Sequence, residues 1–181
     1  GVKDYDINMQ QYSITEERRQ TIDFSAPYYT AAAAVLVRNP SVEAGAQPNI
    51  ASLKGLKWGA AAGTTANELI NTLIAPDSQT LLYDDNADIT EALKSNQIDA
   101  VLLDLPSALF TAAVFLDDGV VLGQFLPDAT GELDQFGAVL EKGNPLLECV
   151  DAALVEMAAD GTLASIEARW LQSETGVPVI E

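Results

Sequence analysis

Residues 52–70 read SLKGLKWGAAAGTTANELI. The apolar run Leu56–Ala61 has the length and composition of a buried strand. Gly63-Thr64-Thr65 interrupts it and opens a helix that the spacing carries to about Leu73. The same alternation continues downstream. Gln79–Tyr83 reads as a strand, Ile89–Ser95 as a helix with Ala92 and Leu93 inward, and Ala100–Leu103 as a buried strand. Pro106–Phe115 then reads as a helix and Val120–Phe125 as a strand. Strands alternating with helices imply a parallel sheet built from βαβ units.

The flanking sequence reads differently. Upstream lie a short strand at Tyr5–Met9, one helical turn at Thr15–Arg19 and a loop at Phe24–Tyr29, where Pro27 disfavours helix at Ala26. A continuous apolar strand follows at Ala32–Arg38, and Ser41–Asn49 reads as a surface loop before a helical turn at Ile50–Leu53. Downstream come a strand at Phe136–Leu140, a helix opened by Asn144-Pro145 and closed by Gly161, and a last helix at Leu163–Leu171. The order suits two α/β lobes, with the chain crossing between them near Ala31–Val37 and Leu126–Phe136. Residues 31–130 would form the complete lobe. Residues 1–30 and 131–181 would share the other, with too few strands for a full sheet, a deficit read as missing sequence.

Composition excludes several functions. The 181 residues hold 27 acidic and 9 basic side chains, a net charge of −18, which repels nucleic acid and anionic membrane surfaces alike. The acidity reads as solubility, or alternatively as a field that draws in cationic ligands. The longest apolar run, Ala31–Val37, falls far short of the roughly 20 residues of a membrane helix. No histidine is present, which removes Ser-His-Asp and Cys-His catalysis and the common zinc sites. The one cysteine, Cys149, shares a helical stripe with Leu146 and Ala153 and is expected to be a buried structural thiol. No metal or organic cofactor is indicated.

Three places could carry chemistry. Ser13, Thr15 and Arg18 sit at a strand-to-helix turn; the guanidinium is a planar fork that can hold a carboxylate, or else a solvated surface charge. Thr64 and Thr65 open a helix, where backbone N–H groups attract anions, or where a threonine simply caps. Asp104 ends an apolar strand, where ligands of open α/β sheets bind, and could hold an ammonium group or cap the next helix. Together the three suit a zwitterionic α-amino acid.

Residues 6–29, DINMQQYSITEERRQTIDFSAPYY, resemble the signature of the polar-amino-acid solute-binding proteins, family 3, of ABC importers. Residues 52–70, 92–104 (ALKSNQIDAVLLD) and 153–171 (ALVEMAADGTLASIEARWL) are similar to its later motifs, in order. The resemblance implies a type II periplasmic-binding-protein fold, two α/β lobes joined by hinge strands, with the first lobe incomplete here. Ser13 and Arg18 match the family's carboxylate contacts, Thr64 and Thr65 its helix-terminus contacts, and Asp104 its ammonium partner. Tyr28 and Tyr29 match the motif leading into the first hinge strand. Where the family has a glycine-hydrophobic pair before the serine, this chain has Gln11 and Tyr12, so Gln11 would narrow the pocket or reach the ligand.

The implied function is capture of a free, polar amino acid outside the cytoplasm, in the periplasm or lipid-anchored at the outer face of the membrane, for docking on an ABC permease. The alternatives are a ligand-sensing domain of a receptor or histidine kinase, or a truncated fragment that binds nothing alone. An enzyme, with Asp104 or Glu132 as general acid, has no paired-carboxylate motif behind it and is not expected. An incomplete lobe would expose apolar sheet surface, which a homodimer would cover.

Overall fold

A computed structural model describes residues 4–126, 135–171 and 176–181. The chain forms two compact units: Gly1–Ala31 with Gly131–Thr175, and Ala32–Thr130 with Gly176–Glu181.

The second unit is built on β4 (Ala33–Arg38), β5 (Trp58–Ala61), β6 (Leu81–Tyr83), β7 (Ala100–Asp104) and β8 (Gly119–Phe125). They form one sheet in the order β6-β5-β7-β4-β8. Ala33–Val37 are at most 2% exposed, which explains the unbroken apolar run: β4 is buried on both faces and needs no polar side. Strand β5 runs parallel to β6 and β7, as the alternating pattern suggests, but β4 is antiparallel to both β7 and β8. The expected all-parallel sheet is therefore mixed. An apolar run encodes burial and not direction; here β4 slots between two strands that are parallel to each other and joined by a helix.

The helices of this unit are α2 (Asn39–Glu43), α3 (Ile50–Leu53), α4 (Ala66–Leu69), α5 (Asn86–Lys94) and α6 (Leu105–Val114). Helix α4 continues as a wider π-helical turn over Ile70–Ile74. Ser41–Asn49, expected as loop, begins inside α2, because Pro40 fits the first helical turn where its missing N–H costs nothing. Short side chains set the other starts: Asn49 accepts from Ser52 N–H at 3.0 Å, and Asp85 from Ala87 and Asp88 N–H at 2.8 and 3.0 Å. Helices α5 and α6 close over Leu36, Val101, Ile98 and Leu105, and Trp58 is fully buried with its indole N–H on the Leu53 carbonyl at 3.0 Å. Arg38 ends β4 and fixes two loops at once. Its Nε donates to Asp118 Oδ1 at 2.8 Å and its Nη1 to Lys94 O at 2.7 Å.

The first unit holds β1 (Ile7–Asn8), α1 (Glu16–Arg19), β2 (Ile22–Phe24) and β3 (Tyr29–Thr30), then β9 (Gln135–Phe136), β10 (Val139–Glu141), α7 (Leu146–Ala159) and α8 (Thr162–Trp170). Strands β1, β10 and β2 form an antiparallel sheet, and β3 pairs with β9. The single strand expected over Phe136–Leu140 is split between these two sheets. Ser25 accounts for the break. Its N–H donates to Ala138 O and its hydroxyl accepts from Ala138 N–H, both at 2.9 Å, so one buried residue satisfies the backbone between β9 and β10. Ala26 N–H donates to Asp151 Oδ1, which ties this loop to α7. Cys149, expected to be buried, is exposed. Helical spacing shows that Leu146, Cys149 and Ala153 share a face but not that the face is covered; within α7 only Leu154 is buried.

The ion pairs Glu16–Arg19, Glu91–Lys94 and Asp23–Lys142 each have at least one partner well open to solvent, and Arg38–Asp118 has side chains 21% and 27% exposed. They offset little of a net charge of −18. Thermal denaturation followed by circular dichroism should show the melting temperature rising as NaCl goes from 10 to about 500 mM, as screening relieves the repulsion. A falling melting temperature would mean that the ion pairs outweigh it.

Candidate functional site

In the first unit, Gln11–Thr15 is held as an extra edge. Ser13 bridges to Phe136, Ile14 N–H donates to Gln135 O at 2.8 Å, and Gly137 N–H to Tyr12 O at 3.2 Å. Thr15 then caps α1, its hydroxyl accepting from Arg18 N–H at 3.2 Å. The half-buried Arg18 guanidinium folds back, Nη1 donating to the Ser13 carbonyl at 2.9 Å. The spacing Ser13-x-Thr15-x-x-Arg18 thus becomes one local unit: serine buried, threonine at the helix start, arginine oriented by the serine backbone. A guanidinium has five N–H donors, and one of them aims the fork.

Gln11 has φ +57°, a left-handed conformation that glycine adopts without strain and that costs other residues roughly 1–2 kcal/mol. The side chain is exposed. This gives a physical reason for the glycine that the resembling sequences carry at this point.

In the second unit the turn after β5 and the end of β7 lie at the carboxyl ends of neighbouring parallel strands. Gly63 takes φ +73°, and Thr64 turns back on Ala61, its hydroxyl donating to the carbonyl at 2.7 Å. Thr65 stands at the start of α4 without a side-chain capping bond. Asp104 pairs with Ala33 across the sheet as the last residue of β7 and is also the cap of α6, its Oδ1 accepting from Ser107 N–H at 2.9 Å. Burial pushes its carboxyl above the ordinary 3.8, and the hydrogen bonds from Ser107 oppose the shift only in part. The capping role anticipated for Asp104 is real. It engages Oδ1 of a carboxylate whose ionised form burial disfavours. Ser107 was not anticipated, although Asp-x-x-Ser before an apolar helix is its signal.

The structure therefore brings Gln11, Ser13 and Arg18 together in one unit, and Thr64, Thr65 and Asp104 together in the other. Glu132 lies outside the described residues. Among the described residues, no group of three or more Cys, Asp or Glu side chains could hold a metal ion.

The mixed sheet and its helices define an α/β protein that carries two clusters of candidate ligand residues. The family model for bacterial extracellular solute-binding proteins, family 3, matches residues 2–173, and the chain belongs to that family. It is 31% identical over 174 residues to the L-cystine-binding protein TcyJ of Escherichia coli K12, covering 95% of this chain and 62% of that protein. The structure is similar to an ancestral arginine-binding protein bound to arginine, at 30% identity and a TM-score of 0.71, covering 91% of this chain and 71% of the other. It also resembles an amino acid ABC transporter substrate-binding protein from Streptococcus pneumoniae bound to L-arginine, at 25% identity and a TM-score of 0.72, covering 96% and 69%. The chain spans about three-fifths of the length of the L-cystine-binding relative.

Two substitutions test the local physics. Gln11→Gly should stabilise the chain by about 1 kcal/mol by relieving the left-handed backbone, a rise of roughly 2–4 °C in the melting temperature for a domain of this size; no rise would place the strain elsewhere. Asp104→Asn keeps a capping oxygen but removes the buried charge. Because the folded carboxyl titrates above its unfolded value, its ionisation opposes folding at neutral pH and ceases to do so as pH falls through that range. The variant should therefore melt higher than the parent at pH 7, with the gap closing towards pH 4. An equal gap at every pH would show that charge burial is not its cause.

Proposed function

We propose that this chain is the ligand-capturing part of an extracytoplasmic amino-acid-binding protein serving an ABC importer. The observation that carries the proposal is Asp104, a carboxylate kept in a costly buried position at the carboxyl end of β7, where ligands of α/β sheets bind. A carboxylate whose ionised form is disfavoured by burial gains when a ligand ammonium comes beside it. Arg18, aimed by Ser13, supplies the opposite half of the set and takes the ligand carboxylate in a two-pronged bond. In this reading Thr64 and Thr65 add donors to the ligand carboxylate, and Gln11 narrows the pocket or reaches the ligand. The printed names of the relatives, which bind cystine and arginine, support a free amino acid as ligand. The family description and the names of the relatives support binding rather than turnover as its chemistry.

The family name places such proteins outside the cell. Docking on a membrane permease, and tethering at the outer face of the membrane, belong to the same proposal. So does self-association: Val155, Ile166 and Trp170 of α7 and α8 are exposed apolar side chains that a second copy would cover. Light scattering reads that directly, and a monodisperse monomer removes it.

The main test is a thermal-shift screen against the common amino acids and cystine at millimolar concentration. A ligand at 100 times its dissociation constant adds about 2.7 kcal/mol to stability. One amino acid should raise the melting temperature, and Arg18→Ala and Asp104→Asn should each abolish the rise. A screen with no rise and no heat in calorimetry would overturn the proposal.

A further inference from the structure

Three parallel strands of the second unit end together. Strand β5 lies between β6 and β7, and its Gly59 pairs with Leu81 on one side and with Val101 on the other. Three residues further on, the same register puts Asp84 and Asp104 level with each other, one on each side of Ala62. The bond from Ala62 N–H to Tyr83 O, at 2.8 Å, carries the β5–β6 ladder past the last paired strand residue. Residues level with one another on parallel strands share a sheet face, and successive residues alternate between faces. Ala61, Val101, Tyr83 and Leu103 all pack into the core cluster formed with Ile89 of α5 and Ala108 of α6. Alternation therefore assigns Asp84 and Asp104 to the opposite face, flanking the strand from which the turn Gly63-Thr64-Thr65 departs.

The two carboxylates are held differently. Asp104 caps α6, with Oδ1 on Ser107 N–H at 2.9 Å. Asp84 is exposed, and the cap of α5 is supplied by its neighbour Asp85, whose Oδ1 accepts from Ala87 and Asp88 N–H. Asp84 is thus not needed to start the helix, and among the described residues it forms no ion pair. Strands about 4.8 Å apart put residues two strands away at about 10 Å. A single ammonium bonds oxygens no more than about 6 Å apart, twice the length of one hydrogen bond. One α-ammonium therefore does not serve both carboxylates, whereas a ligand with a second cation at the far end of its side chain does. We propose that Asp84 is a specificity-determining residue of the candidate site, taking the side-chain cation of an amino acid such as arginine or lysine while Asp104 takes its α-ammonium. This rests on the amino-acid-binding reading and names its substrate class. The net charge of −18 acts in the same direction, since it draws cations towards the chain and repels an acidic side chain.

The experiment is calorimetry on the full chain with L-arginine and with L-citrulline, which has nearly the same length and shape but a neutral side-chain end. The parent should bind L-arginine about 10-fold or more tightly than L-citrulline. Asp84→Asn should weaken L-arginine by about 5-fold or more and change L-citrulline by less than about 2-fold, while Asp84→Glu keeps most of the preference. Both variants should melt with the parent, because Asp84 is exposed and takes no part in capping α5. A merely structural role would weaken both ligands alike. Equal losses for the two ligands, or no loss for either, overturn the role of Asp84. So does a parent that binds L-citrulline as tightly as L-arginine, or one that responds in the thermal-shift screen only to amino acids without a second cation; in those cases the amino-acid-binding reading survives. A parent that binds nothing in that screen defeats the reading itself, and this proposal with it.

Discussion

Strand β4 cannot meet water on either face. Between Ala33 and Val37 every side chain is apolar and buried, so each backbone N–H and C=O there must be bonded to a neighbouring strand. The sheet meets that demand by inserting β4 antiparallel between β7 and β8. The rest of the second unit follows. The register that pairs Ala33 with Asp104 fixes where β7 ends, and the bond from Leu105 N–H to Ala32 O at 2.9 Å turns the chain directly into α6. On the other flank, β8 is held so that its outer edge is offered to residues 177–180. One buried strand thus places both the candidate ligand carboxylate and the edge on which residues 178–180 pair.

Local costs fall on the candidate residues as well as elsewhere, since Ala75 and Asn96 also take positive φ. Asp104 is buried as a carboxylate and Gln11 is held at positive φ, while the core around Leu36, Val101 and Ile98 is ordinary close packing. Such costs persist only where surrounding structure enforces them, and they tend to gather where a ligand repays them. Arg18 shows the complementary economy. Its orientation is set by a backbone carbonyl five residues earlier, so less side-chain entropy is left to lose when the fork closes on a carboxylate.

What could be read from the sequence divides along the same physical line. Burial and local capping are encoded in neighbouring residues, so β4, β7, the cap at Thr15 and the strand-end position of Asp104 were all legible. Direction and coverage are not local. The apolar run of β4 is the same whether its neighbours run with it or against it, and the stripe of Leu146, Cys149 and Ala153 is the same whether or not anything packs on it. Ser25 is a third kind of case. A lone serine in a proline-bearing loop gives no sign that it will pair with Ala138, more than a hundred residues away, and split an apparently continuous strand. The order of residues 177–180 was illegible for that reason too: it comes from Gly123 and Gln124, and nothing in Val-Pro-Val-Ile points to them.

The glycine at 123 links these levels most directly. In a strand interior, glycine weakens the sheet and calls for a reason. Here the reason is volume, since Ile180 and Pro48 occupy the place of its side chain. A missing side chain in the middle of β8 is therefore itself a recognition feature, readable only once its partner is in view. Asp104 is the charged counterpart: burial disfavours its ionised form, and a ligand ammonium is the partner proposed for it.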